Sequence, residues 1–312
     1  MHSKKNILLK ASRIGLSILS LGFANYIVQK KVAKKTRLNW VNDNNFMKIN
    51  GVNTHVMIKG EGEPLLLIHG SQMNLYDWRE NIDFFSKYYK VIAFDMLGCG
   101  FTDKPKIKYT VDDFADFIND VMKHFEISKA SFVGSSWGGG HVLLFALKYP
   151  DKVDKLILSS PCGFKHERHL VDRVLATPIL GQYAVAVFNS RATIRAQLER
   201  AVGDKNFVDE QFVDSVFVPL YTQGAVNSTA KAYQNENFNF VETNLEKIHA
   251  HTLLVWGEKD AIHPRWMMDE MHRRIKQNEL YIIENAGHLP HEEMPQLFNK
   301  KSIEFLRGAT DF

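Results

Sequence analysis

A serine hydroxyl is a weak nucleophile at neutral pH. It attacks a carbonyl only with a base beside it, a group that orients the base, and donors for the oxyanion that forms. The chain offers such groups at the ends of apolar runs. In Gly134-Ser135-Ser136-Trp137-Gly138, a short apolar stretch meets a helical pattern, HVLLFALKYP, through a cluster of glycines. The pentapeptide fits G-x-S-x-G, in which a sharp strand-to-helix turn lifts the central serine clear, and this selects Ser136 over Ser135. Gly134, Gly138 and Gly139 stand where the two backbones would crowd. A helix starting near Trp137 turns its positive end toward developing negative charge.

A turn of that kind needs a sheet to carry it. PLLLIHG, KVIAFDMLG, ASFVGSS, KLILSSP, TLLVWGEKD and LYIIENAGH are continuous apolar runs of strand length, each ending in small or polar residues. They read as strands covered on both faces. Asn50-Gly51 between two alternating stretches predicts a hairpin ahead of them. In YTVDDFADFINDVMKHFEI the apolar residues fall at helical spacing, with Thr110 and Asp113 placed as a capping box. Strands alternating with helices predict an α/β fold, a mostly parallel eight-stranded sheet flanked by helices, whose functional groups gather at the carboxyl ends of the strands.

Residues 163–250 contain no strong strand run, and nearly ninety residues are too many for an ordinary connection. We expect a helical cap inserted there into a core made of residues 38–162 and 251–312. Phe164, Tyr183, Phe188, Phe217, Tyr221, Phe238 and Phe240 in this interval either line a greasy pocket or pack the cap onto the core, and packing is the commoner fate of such residues.

At this point the chain resembles the α/β-hydrolase fold superfamily, in the group with a helical cap, over roughly residues 48–307. LLLIHGS is similar to its His-Gly oxyanion segment, VIAFDMLGCGFTDKP to its fourth-strand segment, VWGEKDAIHP to its acid segment, and NAGHLPHEEMPQLFN to its histidine segment. The resemblance implies Ser136 as nucleophile, His288 as general base and then acid, and Asp260 as the group that orients the imidazole. It implies an oxyanion hole from the backbone N–H groups of Ser71 and Trp137, with neither metal nor organic cofactor. The rivals have other fates: His291 follows Pro290 at a helix start, His69 orders a loop, and Asp95 fixes the LGCGFT turn. Trp137 either joins the pocket wall or packs beneath the cap. The family's dehalogenases and epoxide hydrolases resemble this chain in having Trp after the nucleophile, but theirs is an aspartate and position 136 is serine.

The resemblance therefore implies a serine hydrolase acting on a small hydrophobic or aromatic ester. C–C bond hydrolysis of ring-fission-type products on the same triad is a second reading, and a ligand-binding receptor or interaction module with little turnover is a third. Arg191 and Arg195 are candidates for binding a charged substrate, against the alternative that they serve a solvated helix face beside Glu199.

The formal charge of +4 is unevenly distributed: residues 1–37 carry nine Lys or Arg and no acid, leaving 30 basic residues against all 35 acidic ones from Leu38 onward. The body is thus net acidic and gives no sign of a nucleic-acid partner. Two cysteines, Cys99 and Cys162, form neither a disulfide framework nor a metal-ligand spacing. In the basic tail, Ile14 to Val28 is an uncharged, mostly apolar stretch flanked by Lys and Arg. It predicts membrane association through an N-terminal anchor, either a transmembrane or an interfacial helix. The alternatives are export after signal cleavage at the Gly22-x-Ala24 pattern, and an ordinary packed helix.

Overall fold

The computed structural model describes residues 22–36, 38–41, 43–165 and 177–308. Along β3 (Pro64–Ile68) the side chains of Leu65 and Leu67 enter one apolar cluster while Leu66 and Ile68 enter another. Successive strand residues point to opposite faces, so an unbroken apolar run is the pattern of a strand buried on both. β4 (Lys90–Phe94), β5 (Ala130–Ser135), β6 (Val153–Ser159) and β7 (His251–Gly257) follow the same rule. β8 (Asn278–Ile283) departs from it: as the last strand of the sheet it is only half-buried, and Ile282 is 37% exposed.

β1 (Phe46–Ile49) and β2 (Val52–Lys59) form the expected hairpin, with Asn50 and Gly51 both at positive φ. The sheet has eight strands in the order β1-β2-β4-β3-β5-β6-β7-β8, with β2 antiparallel to both its neighbours and the others paired in parallel. From β3 the chain moves to β4 on one side, then returns to place β5 on the other. The carboxyl ends of β3 and β5 therefore diverge at the switch point of the sheet, where a crevice opens.

One helix spans residues 22–35 (α1), followed by the short α2 (Ile82–Phe85). α3 (Val111–His124) begins with the complete Thr110/Asp113 capping box and buries Phe114, Phe117, Ile118, Val121 and Met122. α4 (Ser136–Lys148) runs almost entirely buried beneath the sheet's switch point.

Between β6 and β7 the described residues hold α5 (Pro178–Phe188), α6 (Arg191–Ala201), α7 (Glu210–Phe217), α8 (Ala225–Asn235) and α9 (Asn239–Asn244) and no strand; residues 166–176 of this interval lie outside the described residues. α10 (Arg265–Arg274), α11 (Pro290–Glu293) and α12 (Pro295–Arg307) complete the chain.

Most of the cap aromatics whose side chains are described turn to packing. Phe164, Phe217, Tyr221 and Phe238 are buried, and Phe240 is exposed. Arg191 pairs with Glu210 and Asp214, and Arg195 with Glu199 and Glu210, so both are spent within the cap surface.

No helix among the described residues is long and apolar enough to cross a membrane. α1 lies on the cap: Tyr26 stacks on Tyr221 with ring centroids 5.5 Å apart, and Ala33 is buried in a cluster with Ile194, Leu198, Phe212 and Phe217. Residues 14–21 of the predicted apolar stretch lie outside the described residues.

Candidate active site

The turn from β5 into α4 is made at Ser136, whose φ is +49°. A non-glycine residue in that region costs on the order of 1–3 kcal/mol and persists only where its surroundings enforce it. Here they do. Its carbonyl accepts a 2.8 Å hydrogen bond from the Cys162 N–H, and the glycines around it admit no side chain. A Cβ on Gly134 would come 2.7 Å from the Gly139 Cα, and one on Gly138 would come 2.4 Å from the carbonyl oxygens of both Ile68 and His69. Gly138 thus serves the approach of α4 to the end of β3.

The two serines separate clearly. The Ser135 hydroxyl is buried without a hydrogen-bond partner, whereas Ser136 Oγ lies 2.8 Å from His288 Nε2. On the other side of the imidazole, His288 Nδ1 lies 2.9 Å from Asp260 Oδ2. With Nδ1–H donating to the carboxylate, Nε2 is left to accept the serine hydroxyl proton. Burial works to raise the Asp260 pKa, but the hydrogen bond and charge of His288, with the His263 N–H, outweigh it and hold the carboxyl below its ordinary value. Asp260 Oδ1 accepts from the N–H groups of Ile262 and His263, which leaves Oδ2 aimed at His288.

His288 sits on a loop fastened to the cap. Its N–H donates to Ala201 O at the end of α6, and the Glu293 carboxylate accepts from the N–H groups of Gly203, Gly287 and Leu289. Sequence reading missed Glu293 in this role; its signal was an acid five residues beyond His288, ahead of Pro295. It also missed His263, whose ring lies 4.6 Å from that of His288, with Nδ1 donating to Ser160 O.

The remaining candidates fall where structural roles would put them. His291 Nε2 donates to Asp77 (3.2 Å) and its Nδ1 faces Ser159 Oγ, fully buried. The Met96 N–H donates to His69 Nε2, so Nδ1 carries the proton and donates to Gly70 O. Asp95 accepts from the N–H groups of Leu75 and Phe101 and from His55 Nδ1, which ties the turn after β4 to the loop after β3.

Gly70 lies directly against Ser136: a Cβ placed on it would come 3.6 Å from that of the serine. Ser71, next in the chain, and Trp137, at the first turn of α4, both line a pocket between core and cap that opens to solvent. Leu97, Tyr109 and Phe114 form its floor, and Leu220, Ala232 and Tyr233 its cap side. Trp137 both lines the cavity and packs edge-on against Phe114 (4.6 Å) and His141 (4.1 Å). Among the described residues the cap surface of the cavity thus comes from α8 and the turn before it, rather than from Phe164, Phe217, Tyr221, Phe238 or Phe240.

Asp260, His263 and His288 are close enough to share a cation. Their atoms are instead taken by one another, by Ser136, by Ser160 O and by backbone N–H groups, an arrangement suited to moving a proton.

A family model described as alpha/beta hydrolase fold matches residues 63–295. The chain is 29% identical over 279 residues to a 2-hydroxy-6-oxo-6-(2'-aminophenyl)hexa-2,4-dienoic acid hydrolase of Metapseudomonas resinovorans, covering 85% of this chain and 91% of that one. It is 28% identical over 284 residues to epoxide hydrolase 3 of Xenopus tropicalis, covering 84% and 76%. Among solved structures, the meta-cleavage product hydrolase of Pseudomonas fluorescens IP01 superposes with a TM-score of 0.74 at 27% identity, covering 85% of this chain and 98% of that one.

Proposed function

Because the chain belongs to the α/β-hydrolase fold family, we propose that it is a serine hydrolase cleaving a hydrophobic or aromatic ester through an acyl-enzyme on Ser136. The observation that carries this reading is the row Ser136 Oγ, His288, Asp260, joined at 2.8 and 2.9 Å. Ser136 Oγ attacks the acyl carbon while its proton passes to His288 Nε2. The imidazolium, charge-balanced by Asp260, returns that proton to the departing alkoxide. Water then attacks the acyl-enzyme, giving its proton to His288, and the carboxylic acid leaves with Ser136 restored.

The Ser71 and Trp137 N–H groups are assigned to the oxyanion, where one donor is typically worth about 3 kcal/mol of transition-state stabilisation. The apolar wall of Leu97, Phe114 and Leu220 supports an apolar acyl or alcohol group.

Cleavage of a C–C bond on the same triad is a second reading, favoured by the dienoic acid hydrolase similarity. An alkyl-enzyme of the aspartate type is disfavoured by the serine at position 136.

Pre-steady-state kinetics on an activated aryl ester test the proposal. The wild type gives a burst and turnover, and Ser136→Ala gives neither; equal rates in the two proteins reject the mechanism, and no turnover in either leaves a binding module as the reading. A dienoate ring-fission product assayed beside the ester separates the two hydrolytic readings by kcat/KM.

A further inference from the structure

α1 rests on the cap with one side only. Gly22, Tyr26 and Ala33 face inward, while Phe23 is 62%, Val28 54%, Val32 40% and Ile27 38% exposed. Four lysines, Lys30, Lys31, Lys34 and Lys35, crowd the carboxyl half of the same exposed surface, and no ion pair among the described residues uses them. The twenty-one residues before α1 add Lys4, Lys5, Lys10 and Arg13 and no acid. Apolar side chains toward one end and a dense collar of lysines outside any ion pair of the described residues toward the other match the depth profile of a bilayer with anionic headgroups. Apolar groups enter the acyl region, and ammonium groups stay at the phosphates.

The seat of this helix matters. Tyr26 stacks on Tyr221, the last residue of the turn Pro219–Tyr221, and the two residues before it, Pro219 and Leu220, line the cavity. Tyr221 is in turn locked by its hydroxyl donating to Asn189 O. The exposed helix and the cap wall of the pocket are therefore one contact apart.

We propose that α1 docks the protein on an anionic lipid bilayer and thereby holds the cap wall of the pocket against the lipid, so that substrate enters from the membrane phase. The substrate class is then a membrane-partitioned ester with a long apolar chain. This substrate assignment rests on the hydrolase reading above; the docking does not.

The test uses the full chain in vesicle flotation, with vesicles of phosphatidylglycerol and phosphatidylcholine against phosphatidylcholine alone. The wild type is expected to float with the anionic vesicles and to be released by salt. Each basic residue near such a surface contributes about fivefold in partitioning, so the variant K30Q/K31Q/K34Q/K35Q should bind at least about a hundredfold more weakly.

Hydrolysis of a long-chain aryl ester dissolved in the anionic vesicles should exceed that on neutral vesicles by tenfold or more in the wild type and fall to the neutral level in the variant. A soluble short-chain ester should be cleaved equally by both. Tyr26→Ala should float as the wild type does and lose the vesicle rate gain. Flotation indifferent to the four lysines overturns the docking, as does a salt-stable dimer that Phe23→Ser dissolves in place of flotation. Flotation with no rate gain overturns the link to the pocket. Failure on the soluble ester sinks the hydrolase reading and leaves the flotation result standing by itself.

Discussion

His288 Nε2 stands 2.8 Å from Ser136 Oγ across 152 residues of chain, and the loop bearing the histidine is hydrogen-bonded to the cap at Ala201. The imidazole is thus positioned by the core on one side and by the cap on the other.

Groups that act as a unit fail as a unit. Ser136→Ala, His288→Ala and Asp260→Asn should each lower kcat on an activated ester by roughly 10³-fold or more, with the far-ultraviolet spectrum unchanged. The Ser136→Ala/His288→Ala double variant should be no slower than the poorer single one. Multiplying losses would show that the two side chains act separately.

His291 makes the contrasting case. Buried between Asp77 and Ser159, it donates from Nε2 to a carboxylate that has no access to water. His291→Ala should cost about 3 kcal/mol of stability by stranding Asp77, yet retain far more activity than His288→Ala when assayed below its unfolding transition. Thermal melts and kcat measured on the same preparations separate the two histidines.

Gly138→Ala probes the oxyanion side through the backbone. Its methyl would fall 2.4 Å from the carbonyl oxygens of Ile68 and His69, which are not flexible side-chain ends. The strap carrying Ser71 must then shift. We expect kcat to drop on the order of 10²-fold, with KM little changed, alongside a lower Tm. An unchanged kcat would remove Ser71 from the oxyanion assignment.

Asp95 links stability to pH. Burial works to raise its pKa, but the hydrogen bond and charge of His55, with His69 and the Phe101 N–H, bring the carboxyl below its ordinary value of 3.8. A depressed pKa in the folded state means the ion contributes stability above the unfolded value and loses it as pH falls through the folded one. Asp95→Asn should therefore be less stable than the wild type by about 2–4 kcal/mol near pH 7. The gap should hold down to about pH 5 and narrow only below about pH 4. A gap that closed between pH 7 and pH 5 would point to another group.

Much of this was legible in the residues themselves. The continuous apolar runs ending at Ile68, Phe94, Ser135, Ser159 and Gly257 mark buried strands because side chains alternate faces and both faces are covered. Thr110 and Asp113 announced a helix start that the structure closes in both directions. The half-exposure of β8 was not legible, since an edge strand and a central one share the same local pattern and differ only in neighbours. Nor was the pocket wall: Leu220, Ala232 and Tyr233 reach the cavity, while Phe217 and Phe238, which look equally apolar in the chain, turn into the packing of the cap.

What the sequence by itself determined is the backbone class of each segment and the residue types able to do chemistry, Ser136 at its glycine turn above all. Both follow from spacing within a few residues, where sterics and side-chain period act. What only the tertiary structure decided is how distant groups meet: the distance at which His288 reaches Ser136, which the resemblance had paired, the pairing of His291 with Asp77, the lining of the cavity, and the seating of α1 on the cap. Those meetings depend on strand order and on how layers pack, and no local period carries that information.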